Sequence, residues 1–472
     1  MQKKMLVGGK WREGRESYEL RSPYDNRKIA DIPSATLEDV EDALTSAAIG
    51  AGIIRNMTAL ERSQILERVS DLFNERKEEC ARILADENAK PIRLARAEIQ
   101  RTIETYKFAA EEAKRIYGET IPMDAALAGK GRIGFTIREP LGIIGAITPF
   151  NFPFNLVAHK LGPAIAAGNS VVLKPAKQTP LSALKTAEFF LEAGLPEHVL
   201  NVVTGSGGLI GDALVKDPRV KMITFTGSVE VGKAIREKAG LKRVTLELGS
   251  NSAVIVDSVD DLDAVVNRCV EGSFSFSGQV CISVQRIYVQ RQLFDAFVEK
   301  FKAAASRLKV GDPHDEETDI SALISPAEKA RIHSWIAEAV SQGAQVAFGG
   351  EERDGILVPT VIINSTTKMT ISCREAFAPV VNIVGYDDWD EAIALANDSD
   401  YGLQAGVYTQ SVAKAIDAIR RLEVGGVIIN DIPSFRVDHM PYGGVKDSGT
   451  GREGVKYAVE EMTELKFASI KY

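Results

Sequence analysis

The sequence predicts an α/β protein with two parallel-sheet domains and a small additional β segment. Its 472 residues exceed what one hydrophobic core usually serves, so two or three domains are expected. From Leu141 onwards, short apolar runs alternate with helical patterns, which favours parallel strands joined by crossover helices. Two segments with alternating apolar residues lie outside these runs, at residues 132–138 and 464–472.

The first part of the chain is predicted to be helical. Between residues 36 and 118, apolar residues recur at helical spacing, as in Ala43, Leu44, Ala47 and Ala48. Charged residues fill the other faces of these segments. The helices are therefore expected to be amphipathic and to cover a sheet.

Two series of strands and helices follow, with a predicted boundary near Gly249. The first series is predicted to have strands at residues 142–147, 170–174, 199–203 and 221–225, and helices at 156–167 and 181–193. The second is predicted to have strands at 252–256, 286–289, 380–386, 405–408 and 426–429, and helices at 262–276 and 293–308. The two outlying strands at opposite ends of the chain are expected to pair, and they could extend the sheet of a partner subunit.

Composition excludes several classes of function. Hydrophobic residues make up 45% and charged residues 26% of the chain, as in ordinary globular proteins, and the net charge of -8 gives no support to nucleic-acid binding. The four cysteines form no C-x-x-C pair and the five histidines do not cluster with them, so no metal site is expected. No signal-peptide pattern and no run of about 18 apolar residues occurs, so no membrane association is expected. We therefore expect a cytoplasmic protein, with its thiols kept reduced.

Cys281 is the cysteine whose surroundings indicate chemistry. It ends the small-residue loop Ser277-Gly278-Gln279-Val280-Cys281. A cysteine reacts as the thiolate, whose pKa nearby backbone N–H groups or a cationic cofactor would lower. The alternative is a buried cysteine acting as a small hydrophobic residue, and we keep that interpretation for Cys80, Cys269 and Cys373.

Glu247 and Asn151 are candidates for acyl-transfer chemistry. Glu247 ends an apolar run, where burial raises the pKa of a carboxyl group toward the value that a general base for water requires. The alternative is an ion pair with a nearby lysine or arginine. Asn151, between Pro149 and Pro153, could donate its amide to a developing oxyanion. The alternative is a turn-forming asparagine.

Three segments together indicate a nucleotide site. Lys174 ends a predicted strand, at the edge where open α/β sheets bind ligands. Residues 225–232 run from a strand through a Thr-Gly-Ser turn into a helix, whose N-terminus attracts phosphate. Residues 205–211 are glycine-rich but lack the full G-x-G-x-x-G pattern, because Ile210 stands where the last glycine should.

These motifs resemble the aldehyde dehydrogenase superfamily over essentially the whole chain. The resemblance rests on seven segments in the family's order: 148–153 (TPFNFP), 174–176 (KPA), 225–228 (FTGS), 246–249 (LELG), 278–281 (GQVC), 375–379 (EAFAP) and 441–449 (PYGGVKDSG). It implies two Rossmann-like domains and a β oligomerisation arm, and therefore a homodimer or homotetramer. The implied division is 1–118 and 139–249 for NAD(P) binding, 250–445 for catalysis, and 119–138 with 446–472 for the arm.

The resemblance also implies an activity, the oxidation of a small aldehyde to its carboxylate with NAD or NADP. Cys281 would attack the aldehyde, Asn151 and the Cys281 backbone N–H would hold the oxyanion, and Glu247 would activate the water that hydrolyses the thioester. Lys174 would bind the adenosine ribose and Ser228 the pyrophosphate. The other implied cofactor-binding residues are Ile147, Thr148, Pro149, Phe150, Gly211, Phe225, Gly227, Glu375, at the nicotinamide ribose, and Phe377, beside the nicotinamide.

Lys177 bears on the choice between NAD and NADP. Many family members that prefer NAD carry a glutamate at this position for the adenosine 2′-hydroxyl. A cation there removes a carboxylate that would repel a 2′-phosphate, and it could attract the phosphate. We therefore hypothesise that NADP is accepted. The alternative is a surface lysine that points into solvent.

The substrate is less defined by the resemblance. Residues 98–101, 154–160 and the Pro441 segment look most like the branch acting on lactaldehyde, succinate semialdehyde and phosphonoacetaldehyde. Arg101 and His159 could meet an anionic substrate tail. The alternatives are a salt bridge on a helix surface and a core histidine, and Val280 supplies no charge beside the nucleophile.

Two other functions stay open at this point. An acylating dehydrogenase would pass the acyl group to coenzyme A, and Glu247 argues against it because hydrolysis would compete. A non-catalytic structural homologue is the other alternative. The intact set of Cys281, Glu247 and Asn151 argues against that function.

Overall fold

The computed structural model describes residues 2–472. Helices and strands alternate along most of this part of the chain. The helices are α1 (Leu37–Arg55), α2 (Ala59–Glu75), α3 (Lys77–Asn88), α4 (Ile92–Ala113), α5 (Asn155–Ala166), α6 (Pro180–Glu192), α7 (Gly207–Lys216), α8 (Val229–Lys238), α9 (Leu262–Phe274), α10 (Arg291–Ala305), α11 (Pro326–Ser341), α12 (Thr370–Cys373), α13 (Trp389–Asn397), α14 (Val412–Arg421) and α15 (Val455–Glu461). 

The strands are short and mostly buried in the two large sheets. They are β1 (Met5–Val7), β2 (Lys10–Arg12), β3 (Glu16–Arg21), β4 (Lys28–Ser34), β5 (Thr120–Ile121), β6 (Arg132–Pro140), β7 (Ile143–Ile147), β8 (Ser170–Lys174), β9 (Leu200–Val202), β10 (Val220–Thr226), β11 (Arg243–Glu247), β12 (Ala253–Val256), β13 (Arg286–Gln290), β14 (Gln345–Phe348), β15 (Glu352–Arg353), β16 (Ile356–Leu357), β17 (Thr360–Ile363), β18 (Val380–Tyr386), β19 (Tyr401–Gly402), β20 (Gln404–Tyr408), β21 (Gly426–Ile429), β22 (Val445–Lys446), β23 (Gly449–Thr450) and β24 (Thr463–Lys471).

The first large sheet has eight strands in the order β2-β1-β9-β8-β7-β10-β11-β23. The five strands from β9 to β11 are parallel, and β1 and β23 join them antiparallel. The chain runs from β7 through β8 to β9 on one side, and β10 then returns to the other side of β7. Open α/β sheets bind ligands at the carboxyl ends of the strands where the order reverses. The loops that follow β7 and β10 are therefore placed to hold a ligand.

Helices cover both faces of this sheet, as the amphipathic pattern predicted. One face packs under α2 to α6, in a core that contains the stacked and edge-on rings of Phe73, Tyr106, Phe154 and Phe189. The other face packs under α1, α7 and α8. Strands β7 and β8 are buried over their whole length, as central parallel strands must be.

The second large sheet has seven strands in the order β14-β17-β18-β13-β12-β20-β21. Only β14 runs antiparallel to its neighbour in this sheet. Its first strand in chain order, β12, begins at Ala253, six residues after β11 ends at Glu247. The predicted class is confirmed: this is an α/β fold with two sheets built mainly of parallel strands.

The two outlying strands pair as predicted. All nine residues of β24 pair antiparallel with β6, and β5 completes a small three-stranded sheet. The C-terminal segment is divided, because β23 is hydrogen-bonded to β11 of the first large sheet and α15 packs on α5. Part of residues 446–472 therefore packs on the first large sheet and its helices rather than in the three-stranded sheet.

Some local features differ from the sequence prediction. The four short strands β1 to β4 were not predicted, since strands of three to seven residues with mixed exposure leave little periodic signal. The helix predicted for residues 262–276 ends at Phe274, because Phe276 and Ser277 adopt left-handed φ values of 50° and 54°. Within residues 2–472, no helix has the length and apolar character needed to cross a membrane.

Candidate active site

A tight turn after α9 presents Cys281. Three consecutive residues, Phe276, Ser277 and Gly278, have φ values of 50°, 54° and 71°. The turn is fixed by the Ser277 hydroxyl, which donates to the carbonyl of Ser321 at 2.8 Å. A Cβ on Gly278 would lie 2.1 Å from the carbonyl oxygen of Ala378, so only glycine fits there. Strained turns of this kind cluster at functional sites.

Asn151 meets this turn from the loop after β7. Its Nδ2 donates to the carbonyl oxygen of Gln279 at 3.0 Å, which leaves the second N–H of the amide for another acceptor. Lys90 fixes this loop, because its Nζ donates to the Asn151 carbonyl at 2.7 Å and forms a buried ion pair with Glu98. The candidate oxyanion donor is thus fixed by the loop between α3 and α4 and, through Glu98, by α4.

Glu247 lies at the end of β11, with 3% of its surface exposed. In the described part of the chain, neither of its carboxylate oxygens has a hydrogen-bond partner. Burial and then the charge of Glu453 raise the pKa of Glu247 well above its usual range, against the opposing charges of Arg436 and Lys160. A carboxylate in this state is suited to accept a proton from water.

Tyr442 contacts Cys281 directly. Its hydroxyl oxygen lies 2.9 Å from the Cys281 Sγ. The Arg436 guanidinium lies over its ring, 3.6 Å from the centroid. Burial raises the pKa of Cys281 to about 11, while the Tyr442 hydrogen bond and the Arg436 charge act in the opposite direction. The resting group is therefore a neutral thiol.

A cavity of about 300 Å³ opens onto Cys281. Aromatic rings and three arginines form much of its wall, namely Phe152, Phe276, Phe435, Tyr442, Arg101, Arg268 and Arg436, and Lys90, Glu98 and Glu271 also line it. This wall combines apolar surface with positive charge. The cavity has the size of a small-molecule site.

Of the two predicted substrate residues, Arg101 lies in this wall and His159 lies behind it. Arg101 pairs with both carboxylate oxygens of Asp438, at 3.0 and 2.7 Å. His159 is 1% exposed, and its Nε2 lies 2.8 Å from the same carboxylate. Burial alone would raise the pKa of Asp438, but His159 and Arg101 hold that pKa well below its usual range. Arg436 is bound in turn to Glu453, at 3.2 Å.

The predicted cofactor residues gather at the carboxyl ends of β7, β8 and β10. Desolvation lowers the pKa of Lys174 to about 8, and its Nζ lies 3.6 Å from where a Cβ on Gly207 would stand, at the start of α7. Ser228 caps α8 through a 3.4 Å hydrogen bond from the Val231 N–H. A buried lysine beside the N-terminus of α7, together with the capped N-terminus of α8, suits a diphosphate-linked ligand.

The loop carrying Glu375 faces these strand ends. Its carboxylate accepts from the Ser250 N–H at 3.1 Å, and a Cβ on Gly249 would lie only 2.3 Å from it. Burial raises the pKa of Glu375 to about 7. The Phe377 ring meets the Phe150 ring edge-on, with centroids 5.8 Å apart. The residues present thus fit a dinucleotide, with a carboxylate able to accept from a ribose hydroxyl.

The remaining predicted cofactor residues support these strand ends. Ile147 ends β7, and the Thr148 N–H after it donates to the Lys174 carbonyl at 3.2 Å, before Pro149. Gly211 packs on Ile147, since a Cβ there would lie 3.8 Å from its Cδ1. Gly227 adjoins the Phe225 ring, 2.4 Å from where a Cβ would stand. 

Lys177 lies farther out on the same side. It is exposed, with its Nζ 4.8 Å from the centroid of the Tyr18 ring. The Tyr18 hydroxyl donates to the Lys177 carbonyl at 2.9 Å, which fixes the backbone of this loop. A mobile ammonium group here can turn toward a bound ligand or toward solvent.

Comparison with known proteins identifies the family of this chain. Residues 11–468 match the aldehyde dehydrogenase family. The chain belongs to this family. It is 48% identical, over 98% of its length and 96% of the relative's, to a 3-sulfolactaldehyde dehydrogenase from Priestia aryabhattai.

Solved aldehyde dehydrogenase structures agree with this assignment. One from Physcomitrella patens, in complex with the reaction product succinate, has a TM-score of 0.97 and 41% identity, covering 100% of this chain and 98% of that one. A glyceraldehyde-3-phosphate dehydrogenase from Methanocaldococcus jannaschii, complexed with NADP, has a TM-score of 0.93 and 40% identity, covering 97% of this chain and 100% of that one. The chain is an enzyme of aldehyde oxidation that uses NAD or NADP, and these predictions are confirmed.

Several site residues were not singled out from the sequence. Tyr442 stood inside a recognised motif, but nothing in the motif indicated that its hydroxyl meets Cys281. Asp438 lies in the loop between β21 and β22, and Glu453 in the loop between β23 and α15, and neither loop has a periodic pattern. Lys90 lies between α3 and α4 and Glu98 in α4, and neither position stands out in the sequence pattern. In residues 2–472, no group of histidine, cysteine or acidic side chains is arranged to hold a metal ion.

Proposed function

We propose that this aldehyde dehydrogenase oxidises a small aldehyde bearing an anionic group, with Cys281 as nucleophile, Asn151 as oxyanion donor and Glu247 as base. The observation that carries the substrate class is the cavity at Cys281, with Arg101 and Arg436 in its wall. Arginine binds carboxylate, sulfonate and phosphate groups through directed hydrogen bonds. The names of the similar proteins support this class, since sulfolactaldehyde and succinate are both anionic.

The proposed reaction has two covalent stages. The Cys281 thiolate attacks the aldehyde carbon, and the carbonyl electron pair moves to oxygen, where the second N–H of Asn151 and the Cys281 backbone N–H stabilise it. When this oxyanion collapses, the hydrogen on the carbon leaves as hydride and a thioester remains. Bound NAD or NADP supplies the acceptor for that hydride.

Glu247 acts in the second stage. It takes a proton from water as the water oxygen attacks the thioester carbon. The carbon–sulfur bond then breaks, which releases the carboxylate product and restores Cys281. The unpartnered, buried carboxylate of Glu247 supports this role, because it must be free to accept a proton.

The cofactor site favours NADP acceptance. Lys174 would bind the adenosine ribose, Ser228 the pyrophosphate and Glu375 the nicotinamide ribose. Lys177 is exposed and lies three residues after Lys174. Its ammonium group contacts the Tyr18 ring, so it can reach a 2′-phosphate without breaking an ion pair. The similar enzyme complexed with NADP supports NADP acceptance.

The three-stranded sheet favours assembly into a homodimer or homotetramer. Apolar side chains of β6 and β24 stand out from it, namely Ile133, Ile137, Leu465, Phe467 and Ile470, each 40% to 55% exposed. Covering them in a second copy would remove this surface from water. Sedimentation of the wild type and of Phe467→Asp tests this, with dissociation of the variant as the expected result. We place the enzyme in the cytoplasm, where a catalytic thiol stays reduced.

A substrate panel tests the proposed function. The rate of NAD(P)H formation would be measured with 3-sulfolactaldehyde, succinate semialdehyde, lactaldehyde and propanal, using each cofactor with the wild type and Arg101→Met. We expect the anionic aldehydes to have a kcat/KM at least about tenfold above propanal, because one charge-assisted hydrogen bond contributes about that much. Arg101→Met should raise KM for the anionic aldehydes alone. Equal changes for propanal would contradict the anionic substrate class.

A further inference from the structure

The hydroxyl of Tyr442 is the polar side-chain group nearest to the nucleophile on the cavity side. Its oxygen lies 2.9 Å from Cys281 Sγ, and both residues line the same cavity. The Tyr442 ring is 3% exposed, so the hydroxyl has little freedom to turn elsewhere. Tyr442 therefore does more than pack its ring, because its hydroxyl is directed at the Cys281 sulfur.

The hydroxyl can act only as the donor once the sulfur is ionised. A thiolate has no proton, and burial keeps the pKa of Tyr442 well above its usual range, so the phenol stays protonated. A hydrogen bond to an ionised acceptor is stronger than one between neutral groups. The contact therefore stabilises the thiolate more than the thiol.

Arg436 sets the orientation of the ring. Its guanidinium lies 3.6 Å from the Tyr442 centroid and is held there by Glu453 at 3.2 Å. A cation over the ring face is attracted to it, and it draws electron density from the phenol, which makes the hydroxyl a better donor. Arg436 therefore fixes the ring and strengthens its hydroxyl as a donor to Cys281.

We propose that Tyr442 is a catalytic residue whose hydroxyl donates a hydrogen bond to the Cys281 thiolate, favouring ionisation and holding Sγ toward the cavity. This inference rests on the proposed nucleophilic role of Cys281. The thiol proton passes to solvent through the cavity, and Tyr442 keeps its own proton. Four groups face the sulfur: Tyr442 and Arg436 favour the thiolate, while Glu247 and Glu375 oppose it.

The test measures the thiol itself rather than turnover. The rate at which iodoacetamide alkylates Cys281 would be followed across the pH range in the full-length enzyme without aldehyde, with the Cys281 peptide resolved by mass from that of Cys373. Tyr442→Phe keeps the ring and removes the hydroxyl. We expect the apparent pKa of Cys281 to rise by about one unit and the rate at neutral pH to fall about tenfold.

Tyr408→Phe is the matched control. It also removes a buried tyrosine hydroxyl, one without a hydrogen-bond partner in the described chain. Its alkylation profile should equal that of the wild type. A 3-fluorotyrosine at position 442 keeps the shape and strengthens the donor, so it should lower the apparent pKa of Cys281 even if Tyr442→Phe folds poorly.

Two outcomes would overturn the inference. One is an alkylation profile that Tyr442→Phe leaves unchanged, and the other is a fluorotyrosine variant that shifts it upward. Either would make Tyr442 a packing residue, while the proposed function would stand. Failure of the proposed function shows separately, because Cys281→Ala would then retain aldehyde oxidation whatever the alkylation profile.

Discussion

Two neighbouring glutamates, one at the end of β11 and one in the loop before α15, are buried to the same degree and behave in opposite ways. Glu247 is 3% exposed and Glu453 is 2% exposed. Burial would raise the pKa of both. Lys160, His159 and Arg436 nevertheless lower the pKa of Glu453 below its usual range, whereas that of Glu247 stays well above it. The difference lies in the partners and not in the depth of burial.

The same contrast separates the two regions around these residues. In the cavity wall and behind it, Arg101 and His159 contact Asp438 and Arg436 contacts Glu453, so these pairs fix the wall, although His159 Nδ1 and Arg436 Nε have no partner in the part of the chain that the structure describes. At the strand end, Glu247 has no partner within residues 2–472. Ionisable side chains that are paired maintain geometry, and a carboxylate with no partner on either oxygen is available for proton transfer.

Glu247→Gln should have the largest effect. Loss of the base should slow steady-state turnover about 10²- to 10⁴-fold, with a first burst of NAD(P)H retained and a thioester on Cys281 visible by intact-protein mass.

In the wild type, the rate of hydrolysis should fall as pH drops through the raised pKa of Glu247, since the base is then protonated. The variant should also melt at or above the wild-type temperature, because a carboxyl group whose pKa is raised on folding opposes folding at neutral pH, and the amide removes that cost. A variant without thioester accumulation would contradict the role of Glu247.

Glu453→Gln should act on the fold instead. It leaves Lys160 and Arg436 without their carboxylate, which costs about 3–5 kcal/mol in the free energy of unfolding. Because the pKa of Glu453 is lowered on folding, its contribution is present at neutral pH and is lost as pH falls through the folded-state value. Denaturant unfolding at two pH values checks both statements. If Glu453→Gln is as stable as Glu247→Gln, the partners of Glu453 do not stabilise the fold.

Lys177→Glu should have the smallest effect, and it should change only the selectivity between NADP and NAD. A carboxylate would repel a 2′-phosphate, so the ratio of kcat/KM with NADP to that with NAD should fall about tenfold. Lys107→Glu, an exposed charge reversal on α4, is the matched control and should leave the ratio unchanged. A wild type already strongly selective for NAD would rule out the proposed role of Lys177.

The degree to which the site could be predicted varies from residue to residue. Cys281, Glu247 and Lys174 each lie at the end of an apolar run or in a small-residue loop, so local sequence marks them. His159 looked like a substrate residue from its place in a motif, but it lies behind the cavity wall against Asp438. Its side-chain direction depends on which helix packs over α5, and this is not a local property.

The sequence by itself determined the alternation of strands and helices, the pairing of its outlying strands, and the presence of a thiol, a carboxylate and an amide suited to aldehyde oxidation. Only the tertiary structure decided which charges are paired. Arg101 meets Asp438 across 337 residues of chain, and Tyr442 meets Cys281 across 161. Contacts of such separation leave no periodic pattern, because they depend on how whole elements pack, and packing sets the burial and partners from which each pKa follows.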